Sequence, residues 1–452
     1  MKINLPQNLI FLAKNIEKPL YVVGGAVRNY LINGTLLGDV DLCAPINSEQ
    51  FKTAVLKCGF SVLAEYKNTG TLLFSDGEHS YEFTSFRKES YVKGEHKPFH
   101  TEFVDDIQED ALRRDFKCNA IYYDIAKETI VDPLGGVEDI YNKILDTVTD
   151  AEITFSRDGL RLLRLARFAG ELNFTPTVQV FDAATRFADN ILDISPERIY
   201  AELKMILVAD TKYSFSNPIG HYEALKILDR TRVLDRIFPD LTEGRGMVQR
   251  ADFHKYDVLE HSLRCALYAP PEIRLGALLH DIGKPFCYKR DGYYYHHFSV
   301  GEKLAEKTLK KLKVDKKTIN GVKFLVKEHM VDLDCSMKDS KVKKFIVKNF
   351  DRIDQLLMVK QADFRASLEA DYDAPTVVKW KKAINKMRED GTPFSLKQLK
   401  ISAEDLIKVG FKNEQIKKEW NSLWEFVISN PEKNSHELLI ERAKKDYEKL
   451  SK

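Results

Sequence analysis

The stretch Leu20–Ala44, LYVVGGAVRNYLINGTLLGDVDLCA, decides the fold of this chain. It opens with an apolar run at Leu20–Val23, bounded by glycines, which predicts a short buried strand. Gly24 and Gly25 follow, and glycine lets the backbone approach another group closely. Helical spacing over Ala26–Ile32 predicts a helix, and Leu37–Leu42 predicts a second strand. The stretch therefore predicts a strand, a glycine turn, a helix and a strand in close succession.

Two aspartates stand two residues apart in the second predicted strand. Because side chains of a strand alternate with a period of two, Asp39 and Asp41 are predicted to share a face. Two adjacent carboxylates repel each other and are stable together when a divalent cation neutralises them. The neighbouring glycine turn and helix start, with Gly24, Gly25 and Arg28, would hold phosphates through N–H groups. Together these features predict a magnesium-triphosphate site.

The spacing from Gly-Gly-x-Val-Arg to Gly-Asp-x-Asp-Leu resembles the nucleotidyltransferase superfamily that includes DNA polymerase beta. The fuller pattern along the chain resembles the class II tRNA nucleotidyltransferases (CCA-adding enzymes) and bacterial poly(A) polymerases. The resemblance implies an α+β, polymerase-beta-like nucleotidyltransferase head followed by an all-α neck, an HD-containing body and a tail. We expect the head at 1–140, a helical neck with the base-reading helix at 141–210, a helical body at 211–385 and a helical tail at 386–452.

The rest of the predicted head supplies a third acid and a loop. Strands are predicted at Leu72–Phe74 and Tyr81–Phe86, and Glu82 on the second of them is either a third metal-site carboxylate or a surface side chain. The polar segment Arg87–Phe103 predicts a mobile loop, which resembles the loop that CCA-adding enzymes need for the final adenosine. The family's Arg-Arg-Pro is replaced there by His96-Lys97-Pro98, which loses the bidentate guanidinium.

The segment Arg113-Arg114-Asp115-Phe116-Lys117-Cys118-Asn119-Ala120 resembles the family motif RRDF-x-x-NA. Arginines reach phosphate or ribose, and an adjacent aspartate accepts a hydrogen bond from a ribose hydroxyl. We therefore expect Arg113, Arg114, Asp115 and Asn119 to bind the sugar and phosphates of a ribonucleotide.

Phe155–Phe174 predicts an amphipathic helix with a stripe formed by Arg161, Arg164 and Arg167. An aspartate can accept a hydrogen bond from the exocyclic amine shared by cytosine and adenine, and an arginine can donate to the edges of these bases. In class II enzymes, residues at the places of Asp158 and Arg161 act as a protein template for the incoming base. The family motif EDxLR has Arg157 in place of its glutamate here. The helix predicted after Ser195-Pro196 is expected to support the first one through Arg198.

A second constellation of histidines and aspartates lies at 254–363. Adjacent His280 and Asp281 at the end of an apolar helix can chelate a metal. The order of His261, His280-Asp281, His297, His329 and Asp363 resembles the HD phosphohydrolase superfamily. The resemblance implies a divalent metal held by these six residues and hydrolysis by a metal-bound water. The alternative is an HD fold kept for its shape. His221, His254 and His296 are expected at the surface.

The composition of the chain bears on RNA binding, on the redox compartment and on membrane insertion. The net charge of +2 neither supports nor excludes RNA binding, since a local basic face is what matters. Six scattered cysteines without a Cys-x-x-Cys pair are typical of thiols in a reducing cytoplasm. The sequence has no apolar run long enough for a membrane span and no signal-peptide core at its start. Pro375–Pro393 is expected to include a linker.

The resemblance implies addition of C, C and A to the 3′ end of tRNA from CTP and ATP, with two Mg²⁺ ions held by Asp39 and Asp41. A poly(A) polymerase, or an enzyme that adds only CC or only A, would share the head motifs. Two other classes remain open, namely an HD phosphohydrolase with a nucleotide-binding head and a non-catalytic RNA-binding protein. The sequence does not indicate the HD metal or the oligomeric state.

Overall fold

The structure is a computed structural model that describes residues 2–90, 100–250, 252 and 254–450. The chain divides into two compact units, Met1–Thr242 with Lys310–Val314, and Glu243–Leu309 with Asp315–Lys452. The first unit contains both the predicted head and the predicted neck. The division into four domains stays a prediction.

Short strands and helices alternate through the first part of the chain. The strands are β1 Tyr21–Val23, β2 Asp41–Ala44, β3 Ser61–Tyr66, β4 Thr71–Ser75, β5 Ser80–Ser85, β6 Arg87–Ser90, β7 His100–Phe103, β8 Tyr122–Asp124, β9 Thr129–Val131, β10 Ile144–Leu145 and β11 Thr175–Pro176. The helices up to residue 242 are α1 Gln7–Lys14, α2 Gly25–Asn33, α3 Ser48–Lys57, α4 Ile107–Leu112, α5 Gly136–Asn142, α6 Ala151–Arg157, α7 Leu160–Leu172, α8 Val178–Arg186, α9 Pro196–Leu207, α10 Gly220–Arg230, α11 Val233–Ile237 and α12 Pro239–Thr242.

A mixed sheet of seven strands, in the order β3-β4-β5-β2-β1-β8-β9, forms the head. β1 pairs antiparallel with β2 and with β8, and all three of its residues are buried. This central position explains the continuous apolar run, because a strand covered on both faces needs no polar side chain. Tyr21 stacks on Phe86 and meets the edge of Tyr122, which closes one face of the sheet.

The segment predicted as a mobile loop is structured at both of its ends. β6 and β7 pair antiparallel, with Arg87 opposite Phe103 and Ser90 opposite His100. The prediction of a loop over all of Arg87–Phe103 is therefore wrong at its ends. His96-Lys97-Pro98 lies outside the described residues.

Helices make up the remaining elements. They are α13 Val258–Tyr268, α14 Arg274–Leu279, α15 Lys284–Asp291, α16 His297–Lys311, α17 Lys316–Glu328, α18 Asp339–Lys348, α19 Ile353–Leu368, α20 Pro375–Glu389, α21 Ala403–Val409, α22 Glu414–Ser429 and α23 His436–Leu450. The linker expected over Pro375–Pro393 is mostly α20, because Trp380 on this helix is buried in the core and donates to Asp332 at 2.7 Å. Within the described residues, none of these or the earlier helices is long and apolar enough to cross a membrane.

Candidate active site and metal centre

One head carboxylate comes just before a strand, and the other is the first residue of that strand. Gly38 has a φ of +90°, which turns the chain, and β2 begins at Asp41. Asp39 therefore precedes the strand, so the predicted strand over Leu37–Leu42 begins too early. Both carboxylates nevertheless line one cavity of about 570 Å³.

Glu82 lies beside Asp41, because β2 and β5 run parallel with these two residues directly opposite each other. Loss of solvation raises the pKa of Asp41 to about 6, and the negative charges of Glu82 and Asp39 add to this effect. A carboxyl group with a raised pKa carries negative charge that the surrounding protein does not fully compensate. Carboxylate oxygens whose negative charge is not compensated are suitable ligands for a divalent cation. Glu82 itself is not part of the cavity wall.

The glycine turn and the helix after it place Arg28 on the cavity wall. Gly24 has a φ of +78°, and α2 begins at the next residue. Arg28 is only 2% exposed and donates to Oδ1 of Asn119 at 2.5 Å and to Oδ1 of Asn29 at 2.9 Å. The Arg28 guanidinium also donates to the hydroxyl of Tyr213 at 3.3 Å. This arginine thus ties α2 to the RRDF-x-x-NA segment in addition to facing the cavity.

A buried aspartate that the sequence reasoning missed holds the two arginines of that segment. Oδ1 of Asp110 accepts from Arg113 at 2.7 Å, and Oδ2 accepts from Arg114 at 3.1 Å and from Tyr122 at 2.8 Å. Burial opposes the ionisation of Asp110, but the charges of Arg114 and Arg113 lower its pKa to about 2. Asp110 lies one helical turn before Arg113 and Arg114, and this i, i+3 and i, i+4 spacing is a signal that the sequence offered.

Asp115 links the motif segment to the arginine helix. Its Oδ1 accepts from Nδ2 of Asn119 at 3.0 Å, and its Oδ2 accepts from Nε of Arg164 at 2.7 Å. Burial opposes the ionisation of Asp115, but the charge of Arg164 and the hydrogen bond from Asn119 hold its pKa well below the ordinary range. Asp115 is therefore a fixed carboxylate on the cavity wall.

The predicted base-reading pair does not lie on one continuous helix. α6 ends at Arg157, Asp158 is extended with φ −147° and ψ 109°, and α7 begins at Leu160. The single helix predicted over Phe155–Phe174 is thus wrong. A Cβ added to Gly159 would lie 2.1 Å from the carbonyl oxygen of Asn190, so the break fits only a glycine.

Both members of the pair line the cavity and are held in place. Arg161 donates to the carbonyl oxygen of Arg113 at 2.6 Å. Asp158 accepts from the N–H of Leu160 at 3.0 Å, and its Oδ2 lies 3.5 Å from the guanidinium of Arg198. A guanidinium has five donors and a carboxylate about four lone pairs, so both groups can bind a further partner.

The other two arginines of α7 surround an aromatic ring. The guanidinium carbons of Arg28, Arg164 and Arg167 lie 5.1, 5.1 and 4.3 Å from the ring centre of Phe168. Arg167 also donates to Oε2 of Glu202 at 2.7 Å. The Phe168 ring attracts these three guanidinium groups through cation–π interactions and so helps to orient them, although the ring itself is uncharged. The sequence reasoning missed the role of Phe168, although its place four residues after Arg164 was a helical-spacing signal.

The HD residues converge in the second unit. Two groups of three ligands can each hold a metal ion, His261 with His280 and Asp281, and Asp281 with His297 and His329. Oδ2 of Asp281 lies 3.1 Å from Nε2 of His280, and Oδ1 lies 3.2 Å from Nε2 of His297. Asp281 therefore faces one group with each of its oxygens. Oδ1 of Asp363 lies 3.1 Å from Nε2 of His261 and completes the first group.

The histidine tautomers fit a cation. Nδ1 of His280, His297 and His329 lies 2.7, 2.8 and 2.8 Å from a main-chain carbonyl oxygen. A carbonyl oxygen only accepts, so each Nδ1 carries the proton and each Nε2 presents a lone pair to the centre. Nε2 of His297 and Nε2 of His329 are 3.2 Å apart, and two lone pairs at this distance repel unless a cation or proton intervenes.

Two histidines expected at the surface lie elsewhere in the structure. His254, expected at the surface, stacks edge-on against His261 with 4.8 Å between the ring centres. His221 in the first unit is 1% exposed and its Nδ1 lies 3.3 Å from Asp210, so its predicted surface position is wrong as well. His296 is exposed, as predicted.

Three family models match the chain. The poly A polymerase head domain matches residues 20–146, the HD domain matches 258–356, and the probable RNA and SrmB-binding site of polymerase A matches 173–244. The matched head carries the paired carboxylates, and the matched HD region carries His261, His280, Asp281, His297 and His329. Divalent metal use is expected of both families.

Two curated relatives define the similarity along the sequence. The A-adding tRNA nucleotidyltransferase of Deinococcus radiodurans is 30% identical over 363 residues, which is 76% of each chain. A CCA-adding enzyme of Anoxybacillus flavithermus is 34% identical over 195 residues, which is 42% of this chain and 46% of that enzyme. The chain thus matches about half the length of this second relative.

Solved structures share the fold. The CCA-adding enzyme of Bacillus stearothermophilus in complex with CTP has a TM-score of 0.67 at 22% identity, covering 98% of both chains. The Thermotoga maritima CCA-adding enzyme complexed with tRNA has a TM-score of 0.60 at 15% identity, covering 96% of this chain and 93% of that one. The predicted fold class, a polymerase-beta-like head followed by helices with an HD domain, is confirmed. With the 30% identity to the Deinococcus enzyme over three quarters of both chains, the chain belongs to the tRNA nucleotidyltransferase family, as predicted.

Proposed function

We propose that this enzyme adds C, C and A to the 3′ end of tRNA, using CTP and ATP. The observation that carries the proposal is that one cavity brings together both head carboxylates, the RRD segment and the pair Asp158 and Arg161. A cavity of about 570 Å³ has room for one nucleotide at a time. No nucleic-acid template is needed if protein side chains select the base.

Asp39 and Asp41 would hold divalent cations, and Mg²⁺ is the candidate because the donors are carboxylate oxygens. Such ions, when bound, lower the pKa of an attacking hydroxyl and stabilise a leaving pyrophosphate. Glu82 contributes negative charge beside Asp41 rather than a group on the cavity wall. Its role as a third ligand remains a proposal.

The remaining cavity residues would place the nucleotide. The N–H groups of the Gly24-Gly25 turn and the guanidinium of Arg28 would face the triphosphate. Arg113, Arg114, Asp115 and Asn119 would position the sugar and phosphates, and Arg164 and Arg167 would add positive charge. Because Asp115 already accepts from Asn119 and Arg164, it would hold these donors in place as well as accept from a ribose hydroxyl.

Asp158 and Arg161 would select the base. Asp158 accepts from the amino group that cytosine and adenine share, and Arg161 donates to the adjacent acceptor on either base. Uracil and guanine present a carbonyl where the amine is needed, which leaves the carboxylate opposite an acceptor and is unfavourable. The helix break at Asp158 gives its carboxylate a direction that a helical residue at this place would not have.

The alternative functions would use the same cavity and would differ in the nucleotides that are added. The relative from Deinococcus radiodurans is an A-adding enzyme, and that from Anoxybacillus flavithermus is a CCA-adding enzyme, so an A-only, CC-only or poly(A) product is the runner-up. The test supplies purified protein with tRNAs that end in the discriminator base, in C or in CC, together with each labelled nucleotide. Stepwise incorporation of C, C and A supports the proposal, whereas AMP runs on any RNA indicate a poly(A) polymerase.

We further propose that the HD centre binds divalent metal and hydrolyses a phosphoester. Its imidazole and carboxylate donors suit Mn²⁺, Fe²⁺ or Ni²⁺ better than Mg²⁺. If this hydrolysis were the main activity, the same assay would release phosphate without elongation. A non-catalytic RNA-binding protein would do neither, and it would have no need of the paired carboxylates.

A further inference from the structure

The segment of residues 212–216, which follows α9, contributes two side chains to the wall of the active cavity. Lys212 and Tyr213 both line this cavity. The segment is tied to the end of α7, because Oγ of Ser216 accepts from the N–H of Tyr213 at 3.2 Å and donates to the carbonyl oxygen of Glu171 at 2.8 Å. The helix that carries the cavity arginines therefore also fixes the place of Lys212 and Tyr213.

Tyr213 is held by its ring and keeps an unused hydrogen-bond donor. Its ring packs flat against Phe215, with 4.9 Å between the ring centres and an angle of 8° between the planes. Its hydroxyl accepts a hydrogen bond from the guanidinium of Arg28 at 3.3 Å. A phenolic hydroxyl can also donate one hydrogen bond, and the described residues offer its proton no acceptor. The packed ring thus brings one available O–H group to the cavity wall.

Arg28 itself has little hydrogen-bonding capacity left for a ligand. Of the five N–H groups of a guanidinium, two donate here to Asn29, one to Asn119 and one to Tyr213. One N–H group remains, whereas a terminal phosphate presents three oxygens that each accept hydrogen bonds. Since Arg28 faces the triphosphate in the proposed function, a terminal phosphate beside it needs further donors.

Lys212 brings a positive charge to the same wall. It is exposed, and no carboxylate in the described part of the chain forms an ion pair with it. Its Nζ lies 5.8 Å from the ring centre of Tyr213. An ammonium group supplies three donors and a compact charge, which suit it to a phosphate. Lys212 and Tyr213 therefore add the kinds of donor that Arg28 lacks.

The order of residues along α7 indicates which part of a nucleotide these donors would meet. Arg161 lies at the start of α7 and Glu171 lies ten residues further along it, which is about 15 Å of helix. The base and the terminal phosphate are the two opposite ends of a nucleoside triphosphate. A nucleotide whose base is read by Asp158 and Arg161 therefore directs its terminal phosphate toward the end of α7, where Lys212 and Tyr213 lie.

We propose that Lys212 and Tyr213 bind the terminal phosphate of the incoming CTP or ATP. This inference rests on the proposed function for the identity of the nucleotide. A terminal phosphate is favoured over a phosphodiester because it presents more oxygens and more charge to the converging donors. Because this phosphate is the same in CTP and ATP, the two residues would strengthen binding of both without selecting the base.

The test measures KM for CTP, for ATP and for tRNA, together with the inhibition constant of pyrophosphate, in the full-length protein. Lys212→Gln should raise KM for both nucleotides about tenfold and weaken inhibition by pyrophosphate by a similar factor, because a charged hydrogen bond to phosphate is lost. Tyr213→Phe keeps the ring on Phe215 and should raise the same constants about threefold. KM for tRNA should stay close to wild type in both variants. The matched control is Lys204→Gln, an exposed lysine of α9 that does not line the cavity, and it should leave all four constants near wild type.

Unchanged nucleotide KM and pyrophosphate inhibition in both variants would overturn the proposal, and so would an equal loss in Lys204→Gln. The segment lies within 173–244, which the RNA-binding family model matches. A rise in KM for tRNA alone would therefore assign Lys212 and Tyr213 to a phosphate of the acceptor and would also overturn the proposal. Equilibrium dialysis of labelled CTP with Mg²⁺ and without tRNA compares the same variants independently of extension. Wild-type protein that binds CTP but does not extend tRNA would count against the proposed function, whereas the CTP affinities judge the terminal-phosphate contacts separately.

Discussion

Substitution of Gly159 by alanine tests whether the break between α6 and α7 positions the base-reading pair. The backbone of Gly159 has φ −61° and ψ −20°, which alanine adopts without strain. The added Cβ, however, would lie 2.1 Å from the carbonyl oxygen of Asn190 and 2.5 Å from its carbonyl carbon. The perturbation is thus a steric one against main-chain atoms, which cannot rotate away as the end of a side chain can.

The required movement follows from these distances. Real Cβ atoms essentially never approach another heavy atom closer than 3.0 Å, so the two segments must separate by at least 0.9 Å. The segment of Asn190 resists this, because its side chain donates to the carbonyl oxygen of Phe155 at 3.1 Å. Overpacking of this kind costs about 1–3 kcal/mol of stability. A displacement of about 1 Å at Asp158 should lower kcat/KM about 100-fold, equivalent to about 2.7 kcal/mol.

The assay compares kcat/KM for CTP, ATP and UTP on the tRNA 3′ end, with Tm measured on the same preparation. We expect Gly159→Ala to lose most of its activity with CTP and ATP while UTP incorporation changes less, since selection depends on the displaced pair. Gly321→Ala is the control, because Gly321 lies in α17 with nothing within 4 Å of an added Cβ. This control should be active and should gain about 0.4–1 kcal/mol of stability. If Gly159→Ala kept full activity and selectivity, Asp158 would not be positioned by this break.

Three further substitutions test the head carboxylates, the base-reading pair and the HD centre one at a time. Asp41→Asn should abolish nucleotide addition, because it removes a charged cation ligand. It should also raise the Tm of the metal-free protein above pH 6, since the raised pKa of Asp41 means that its charged form destabilises the fold, and this difference should shrink as the pH falls toward 4. Asp158→Ala should relax discrimination against UTP and GTP about 10–100-fold in ratios of kcat/KM, because the acceptor for the amino group is lost. His280→Ala should leave nucleotide addition unchanged while it lowers the content of bound metal, measured by elemental analysis, and removes any phosphoester hydrolysis.

A specific result would contradict each of these three predictions. Unaltered turnover in Asp41→Asn would remove the metal role of this residue, and a Tm difference that grows on acidification would contradict the assigned pKa. Retained selectivity in Asp158→Ala would show that the base is read elsewhere. Loss of nucleotide addition in His280→Ala would mean that the HD centre acts on the head chemistry.

Local patterns were sufficient to predict the elements around the glycine turn. The apolar run before Gly24 became a buried strand and the helix after it was present, because burial and helical spacing leave a direct trace in the sequence. The histidines and aspartates of the HD centre could also be named from the sequence, because their order resembles the HD superfamily and histidine and carboxylate are common metal donors. Their convergence on Asp281 agrees with the predicted set.

The two aspartates outside their predicted elements were misplaced for different reasons, one local and one distant in the sequence. Asp39 leaves the strand at a positive-φ glycine, and Asp158 leaves the helix because Gly159 packs on the carbonyl of Asn190, which is 31 residues away. Asp110 and Phe168 were missed for another reason, since each lies at helical spacing from an arginine that it contacts and this local signal was not used.

The sequence by itself determined the fold class, the kinds of ligand and the family, because these follow from patterning and from residue chemistry. The tertiary structure alone decided which carboxylates are held by arginines, which arginines reach the cavity and where the regular elements break. The outcomes that the sequence could not reveal depend on close contacts between segments far apart along the chain, such as Asp115 with Arg164 and Gly159 with Asn190, and no local pattern encodes such contacts.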